Sequence, residues 1–315
     1  MRLAIINDWF SDKFAVFTNR DGFLRSMQVL RDTYGWETKF FKKGDPGLFK
    51  HPYVDVEFSS NPGQAAVDWK PDAILYFADL TRPVIGELKD VKIPKAICFS
   101  GGPRRDFEKD VDLIFVESKS YLEDFKSRGL NAVQAFGTNT ELFKPYTQPK
   151  VFDAIFPATF AGWKRHNLFA EAMGPRGLAC GWWQPHEPET VDVCFKNGTA
   201  VLHHQNAESI CLLLNMSKTC VVTSANNGGS QRTVLEAMAC NIPVIATIDS
   251  DKTTEYIKAC GVGNIVDPNP SSIREAVDGW VKNPHEINTR QWILDNYSEY
   301  IYAKKIKEGI ESILK

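Results

Sequence analysis

Residues 224–246 read SANNGGSQRTVLEAMACNIPVIA. A polar, glycine-bearing loop runs into a short amphipathic helix carrying one acid, Glu236, and an apolar strand follows Asn241-Ile242-Pro243. A glycine-rich loop that opens a helix aims free backbone N–H groups and the positive end of the helix dipole at one point, which is a ready site for a phosphate. Gly228, Gly229 and Ser230 are the candidate N–H donors. Arg232 stands in the first turn, where the dipole disfavours a cation; a bound phosphate would explain it there, and the alternative is an ordinary surface arginine. Glu236, one to two turns in, is placed to hold a hydroxyl of whatever the phosphate belongs to. Its alternative is an i,i+4 ion pair with Arg232 on an exposed face.

Outward from this stretch, strands and helices alternate in both directions. On the N-terminal side, Leu3–Ile6, Thr38–Phe41, Ala73–Phe77, Ala96–Phe99, Leu113–Val116 and Ala132–Ala135 are short apolar runs that read as buried strands. A helix follows Asp21-Gly22, and another spans Tyr121–Arg128. PYTQPK, residues 145–150, has two prolines and no apolar pattern, and reads as a linker. The alternation restarts with strands at Phe152–Phe156, Leu178–Trp182, Ala200–His203, Thr219–Thr223 and Pro243–Ala246. Helices are expected near Asn167–Met173, Ala207–Asn215, Gln231–Cys240, Thr253–Ala259 and Ser271–Val281, and the tail Gln291–Leu314 reads as mostly helical. Such alternation belongs to parallel sheets covered on both faces. Ligands of open α/β sheets bind beyond the carboxyl ends of the strands, and with two such domains the expected place is the cleft between them.

Composition narrows the function classes. At 315 residues the chain has room for two domains, and 43% hydrophobic with 24% charged residues is an ordinary globular balance. A net charge of −2 gives no global attraction to nucleic acid or anionic membrane. The opening MRLAIINDWF is too short an apolar run for a signal peptide, and no stretch is apolar enough to span a bilayer. Seven cysteines, none spaced Cys-x-x-Cys and most within apolar runs, read as buried free thiols in a reducing compartment. The expected location is the cytoplasm, or the host cytoplasm for a viral gene.

Four segments resemble a known family, the retaining nucleotide-sugar glycosyltransferases of GT-B fold, or group 1 glycosyl transferases. GTNTELFKP (137–145) looks like its interdomain signature. FAGWKRHNLFAEAM (160–173) looks like the loop and helix after the first strand of its C-terminal domain. GGSQRTVLEAMACNIPVIAT (228–247) resembles its donor-binding helix, and DSDKTTEYI (249–257) the loop carrying a Glu after the next strand. The resemblance implies two Rossmann-like parallel-sheet domains facing a central cleft: an acceptor domain over 1–147, a donor domain over 148–290, and a C-terminal helix, 291–315, crossing back to the first. Three positions depart from the family pattern. Gly228 stands where a first glutamate is usual, Thr159 where an arginine is common, and Ser100-Gly101-Gly102 where many members have a histidine.

The resemblance also implies roles. Lys164, with Arg165 beside it, would face the donor diphosphate, where fixed cations stabilise charge growing on the leaving group; the alternative is a solvated basic loop. Glu236 would accept from the ribose hydroxyls, with Gly228, Gly229, Ser230 and Arg232 about the diphosphate or sugar. His204, in the loop His203-His204-Gln205-Asn206, would lie near the nucleobase, while Asn206 reads as an N-cap. On the acceptor side stand Gly22 and Gly101, with Arg104 and Arg105, which follow the end of an N-terminal strand and are placed to meet an anionic acceptor; the alternative for the two arginines is an ordinary solvated turn. Asp110-x-Asp112 and Asp249-x-Asp251 match a metal-binding pattern of a different glycosyltransferase architecture, and here read as loop acids and caps. No metal and no cofactor are expected beyond a nucleotide-diphosphate sugar, UDP- or GDP-linked, as co-substrate. The acceptor stays open among a glycan, a lipid and a modified DNA base; net charge argues mildly against nucleic acid. The alternatives are a GT-B protein that binds the donor without turnover, and more remotely an epimerase or phosphorylase on the same fold.

Overall fold

In a computed structural model the described residues are 1–7, 22–78, 83–99, 108–225 and 231–314. They form two compact units, 1–137 joined by 299–315, and 138–298.

The first unit contains β1 (Arg2–Asn7), α1 (Gly22–Tyr34), β2 (Glu37–Lys43), β3 (Gly47–Lys50), β4 (Asp55–Ser59), α2 (Pro62–Asp68), β5 (Ala73–Ala78), α3 (Pro83–Glu87), β6 (Lys95–Phe99), β7 (Leu113–Val116), α4 (Lys119–Ser127) and β8 (Ala132–Gln134). Its eight strands lie in the order β3-β4-β2-β1-β5-β6-β7-β8, all parallel except the edge pair β3–β4. Alternate residues of a strand point to opposite faces, and the core divides accordingly. Leu3, Ile5, Phe40, Leu75 and Phe115 pack with α1 on one face, whereas Ala4, Ile6, Phe41, Ile74 and Ile97 pack on the other with Val84, Ile85 and Phe125 from α3 and α4. Burial on both faces makes the strands continuous apolar runs.

The second unit contains β9 (Phe152–Pro157), α5 (His166–Met173), β10 (Gly177–Gly181), α6 (Glu189–Lys196), β11 (Ala200–His203), α7 (Ala207–Asn215), β12 (Ser217–Val222), α8 (Gln231–Ala239), β13 (Val244–Thr247), α9 (Asp251–Cys260), β14 (Asn264–Val266), α10 (Pro270–Lys282) and α11 (Thr289–Asn296). Its sheet has the order β11-β10-β9-β12-β13-β14 and every pairing is parallel. Asn206 caps α7 as expected, its side chain accepting from Ser209 N at 2.8 Å.

The last helix, α12 (Glu299–Ile313), returns to the first unit. Tyr302, Ala303, Ile306 and Ile310 join the core face that also holds α1. Gly309 lets it approach closely: a Cβ there would lie 2.6 Å from the Phe115 ring. Arg25 of α1 and the fully buried Glu299 add an ion pair at 3.7 Å. All seven cysteines are free, six of them buried, and no helix among the described residues is long and apolar enough to cross a membrane.

Candidate functional site

The strand orders locate the candidate site. In the second unit the chain runs outward from β9 through β10 to β11, then returns to place β12 on the other side of β9. The topological switch point therefore falls between β9 and β12, and ligands of open parallel sheets bind beyond the strand ends at such a point. The segment after β9 carries Lys164, and the segment after β12 leads into α8 with Arg232 and Glu236. Thr233 in the first turn of α8 donates to Pro157 O at 2.9 Å, tying the helix start to the carboxyl end of β9. The first unit has its own switch point between β1 and β5; Gly22, buried, heads α1 after β1. Gly101, Arg104, Arg105, Gly228, Gly229 and Ser230 lie outside the described residues.

The loop that presents Lys164 is built by close packing. Ala158 N and Phe160 N donate to Cys180 O and Trp182 O, so the chain leaving β9 stays alongside the end of β10. Gly181 permits this, since a Cβ there would sit 1.8 Å from Ala158 O. A short turn over Gly162–Lys164 follows, and Arg165 joins it to α5 in the left-handed conformation (φ 56°, ψ 51°). Thr223 Oγ1, just past β12, donates to Lys164 O at 2.8 Å and lies 3.1 Å from Arg165 O, and Ala225 N donates to Trp163 O at 2.9 Å. Lys164 is only 6% exposed. Its ammonium lies 4.1 Å from the centroid of the half-exposed Trp163 ring. This is a fixed, partly desolvated cation, not the solvated basic loop that the sequence left open.

Arg165, expected beside Lys164 at the donor diphosphate, is held by four side-chain hydrogen bonds within the protein. Its Nε donates to Thr223 O at 2.5 Å, one terminal nitrogen to Asp249 Oδ2 at 2.5 Å, and the other to Thr247 Oγ1 at 2.8 Å and Asp249 Oδ1 at 2.9 Å. The guanidinium is thus committed to a carboxylate and two strand ends. The Arg165 hydrogen bond in turn holds the Asp249 carboxyl below the usual range. Of the two Asp-x-Asp motifs, Asp249 pairs with Arg165 and Asp251 is the first residue of α9, while Asp112 Oδ2 accepts from Lys95 N at 2.7 Å.

Glu236 is fully buried on α8 and so does not lie on an exposed helix face. A buried carboxylate is retained where it is paired or hydrogen-bonded, and Glu236 is engaged within the structure. Arg232 is half-buried and likewise engaged.

Behind the Lys164 loop, His166 stacks on Phe160 (centroids 4.3 Å, planes 18° apart) and lies 4.8 Å from the Phe156 ring. Neither ring nitrogen has a hydrogen-bond partner. Burial, with Lys164 adding to it, pushes its pKa down to about 3, so the ring is neutral. Beyond the ends of β10 and β11 an aromatic group gathers. Trp182, 51% exposed, meets His204 edge-on at 4.9 Å, and Trp183 lies 4.7 Å from His203. His204 is exposed and left-handed at φ 41°. Sequence reasoning did not single out Trp182, Thr223, Thr247 or the Arg165–Asp249 pairing. The paired residues lie 84 positions apart, so no local pattern connects them.

Residues 194–298, which include α7, α8 and α9, match the family described as Glycosyl transferases group 1. No curated protein sequence matches the chain. Among solved structures, a sucrose-phosphate synthase from Thermosynechococcus elongatus is similar at TM-score 0.75 and 16% identity, over 99% of this chain and 98% of that one. A glycosyltransferase from Rickettsia africae gives TM-score 0.73 at 15% identity, over 100% and 98%. Anabaena HepE, solved in complex with UDP and glucose, gives 0.74 at 13%, over 98% and 99%. The fold is that of these three structures along nearly the full length. The segment 194–298 is thus similar to the group 1 glycosyl transferases, and the fold of the whole chain is that of the solved structures named above.

Proposed function

We propose that the protein moves a sugar from a nucleotide-diphosphate sugar to an acceptor hydroxyl, with retention of configuration and without a metal ion. The observation that carries this is the convergence at the β9–β12 switch point. The fixed ammonium of Lys164 and the start of α8, with Arg232 and Glu236, follow the two adjacent strands. In this reading Lys164 faces the diphosphate and stabilises the charge that grows as the glycosidic bond breaks. The N-terminal end of α8 receives phosphate oxygens through backbone N–H groups, with Gly228, Gly229 and Ser230 as donors. Glu236 accepts from the ribose hydroxyls. Trp182 and His204 offer aromatic surface for the base. Departure of the diphosphate leaves an oxocarbenium-like sugar, and the leaving phosphate takes the acceptor proton, so no protein nucleophile is required.

UDP-sugars are the first donors to test, because HepE was solved with UDP and with UDP-glucose; GDP-sugars are the second. The first unit serves the acceptor, with a glycan, a lipid or a modified DNA base as candidate classes, and the site of action is the cytoplasm. One observation favours a second reading, donor binding without turnover: Gly228 replaces a family glutamate. The test is release of UDP or GDP from UDP-glucose, UDP-galactose and GDP-mannose, with and without sugar acceptors. Slow release that Lys164→Ala lowers by about 10²–10³-fold is expected. Donor binding with neither hydrolysis nor transfer by the unaltered protein would hand the function to the binding reading.

A further inference from the structure

The loop holding Lys164 is short, and Arg165, the residue that joins it to α5, is conformationally costly. A non-glycine residue at φ 56° is uncommon, and glycine would be the relaxed choice. Arg165 holds the position with four side-chain hydrogen bonds, all to residues at or just past the ends of β12 and β13: Thr223, Thr247 and both oxygens of Asp249. Thr223 closes the arrangement by donating from its own hydroxyl to the carbonyl of Lys164. The loop after β9 is thereby bound to the two strands on one side of it, at the edge where α8 begins.

We propose that Arg165, Asp249 and Thr223 form a clamp that fixes the Lys164 ammonium against the donor diphosphate, with Arg165 and Asp249 as positioning residues. The inference rests on the reading of Lys164 given above. A guanidinium fork meeting a carboxylate through two parallel bonds defines distance and plane together, which a lysine cannot reproduce. A cation displaced by about 1 Å loses much of its effect on a leaving group, on the order of 10²-fold. Asp249 in this account serves the arginine and is not a metal ligand.

The discriminating variant is Arg165→Gly. Glycine relaxes the left-handed backbone and removes the clamp. If the arginine served only the turn, Arg165→Gly would be at least as stable and as active as the unaltered protein. With the clamp acting as proposed, Arg165→Gly and Asp249→Ala bind whichever of UDP and GDP the unaltered protein binds about 10-fold more weakly, at a melting temperature within a few degrees of the original. Guanidinium at millimolar concentration restores binding to Arg165→Ala and not to Lys164→Ala, a rescue that a purely structural role would not give. Full affinity in both Arg165→Gly and Asp249→Ala, with Lys164→Ala impaired, overturns the clamp and leaves the donor reading standing. Full affinity in Lys164→Ala, or no binding of either nucleotide by the unaltered protein, overturns the donor reading and the clamp with it. Failure of Asp249→Ala to fold shifts the decision to Arg165→Gly and the guanidinium rescue.

Discussion

At the residue scale the account turns on side chains whose charge state and freedom are set by their surroundings. His166 shows this most simply. Its pKa falls from 6.5 to about 3 on burial. The unfolded chain therefore binds a proton below pH 6.5 that the folded chain refuses, and stability is lost as pH drops through that window. Between pH 7 and pH 5 the loss is about 2 kcal/mol from this group alone, at roughly 1.4 kcal/mol per pKa unit. His166→Phe, stacking on Phe160 without unsatisfied nitrogens, should be as stable as the original at pH 7 and should lack this share of the acid sensitivity. Urea titrations of both proteins at the two pH values measure the difference. Lys164 and Glu236 were legible as candidates because each sits in a quoted motif. Their burial was not, since exposure depends on neighbours far away in sequence. For the same reason the pairing of Arg165 with Asp249, 84 positions away, is not legible in the sequence.

At the scale of elements, burial accounts for several of the strands that could and could not be read. Strands buried on both faces, such as β1, β5, β6 and β7, are unbroken apolar runs and stood out. The edge strand β3 is exposed throughout and β4 is half-exposed, so neither carries such a run, and neither was expected. Edge strand β14, three residues long, was missed on the same ground. Two helical glycines separate packing from propensity. Gly279 in α10 has open space where a Cβ would go, whereas Gly309 in α12 abuts Phe115. Gly279→Ala should stabilise by about 0.5–1 kcal/mol through helix propensity. Gly309→Ala gains the same propensity but overpacks the face against β7, a cost of about 1–3 kcal/mol, so net destabilisation is expected. Thermal denaturation of the two variants side by side should move the melting temperature in opposite directions.

At the scale of the whole molecule, two parallel sheets in one chain match what strand–helix alternation leads one to expect, and the last helix belongs to the first unit, as the resemblance implies. The chain passes between units at Gly137 and Ser298, and these passages are linked, Thr138 N donating to Tyr297 O at 2.9 Å. Arg290 then holds the segment after the first passage, its terminal nitrogens donating to the carbonyls of Thr140, Phe143 and Ala239. The switch point could not be read from alternation alone, because strand order is not written in the sequence of elements. Once known, it gathers the dispersed motifs at one sheet edge. The central claim is that this edge holds a nucleotide diphosphate, and thermal shift with UDP, GDP and their sugars tests it most directly. A ligand at 100 times its Kd stabilises by about 2.7 kcal/mol, enough to read as a clear rise in melting temperature. The account predicts such a rise for the unaltered protein and its loss in Glu236→Gln, the isosteric variant chosen because the side chain is buried. An undiminished shift in Glu236→Gln, or no shift with any of these nucleotides, would contradict it.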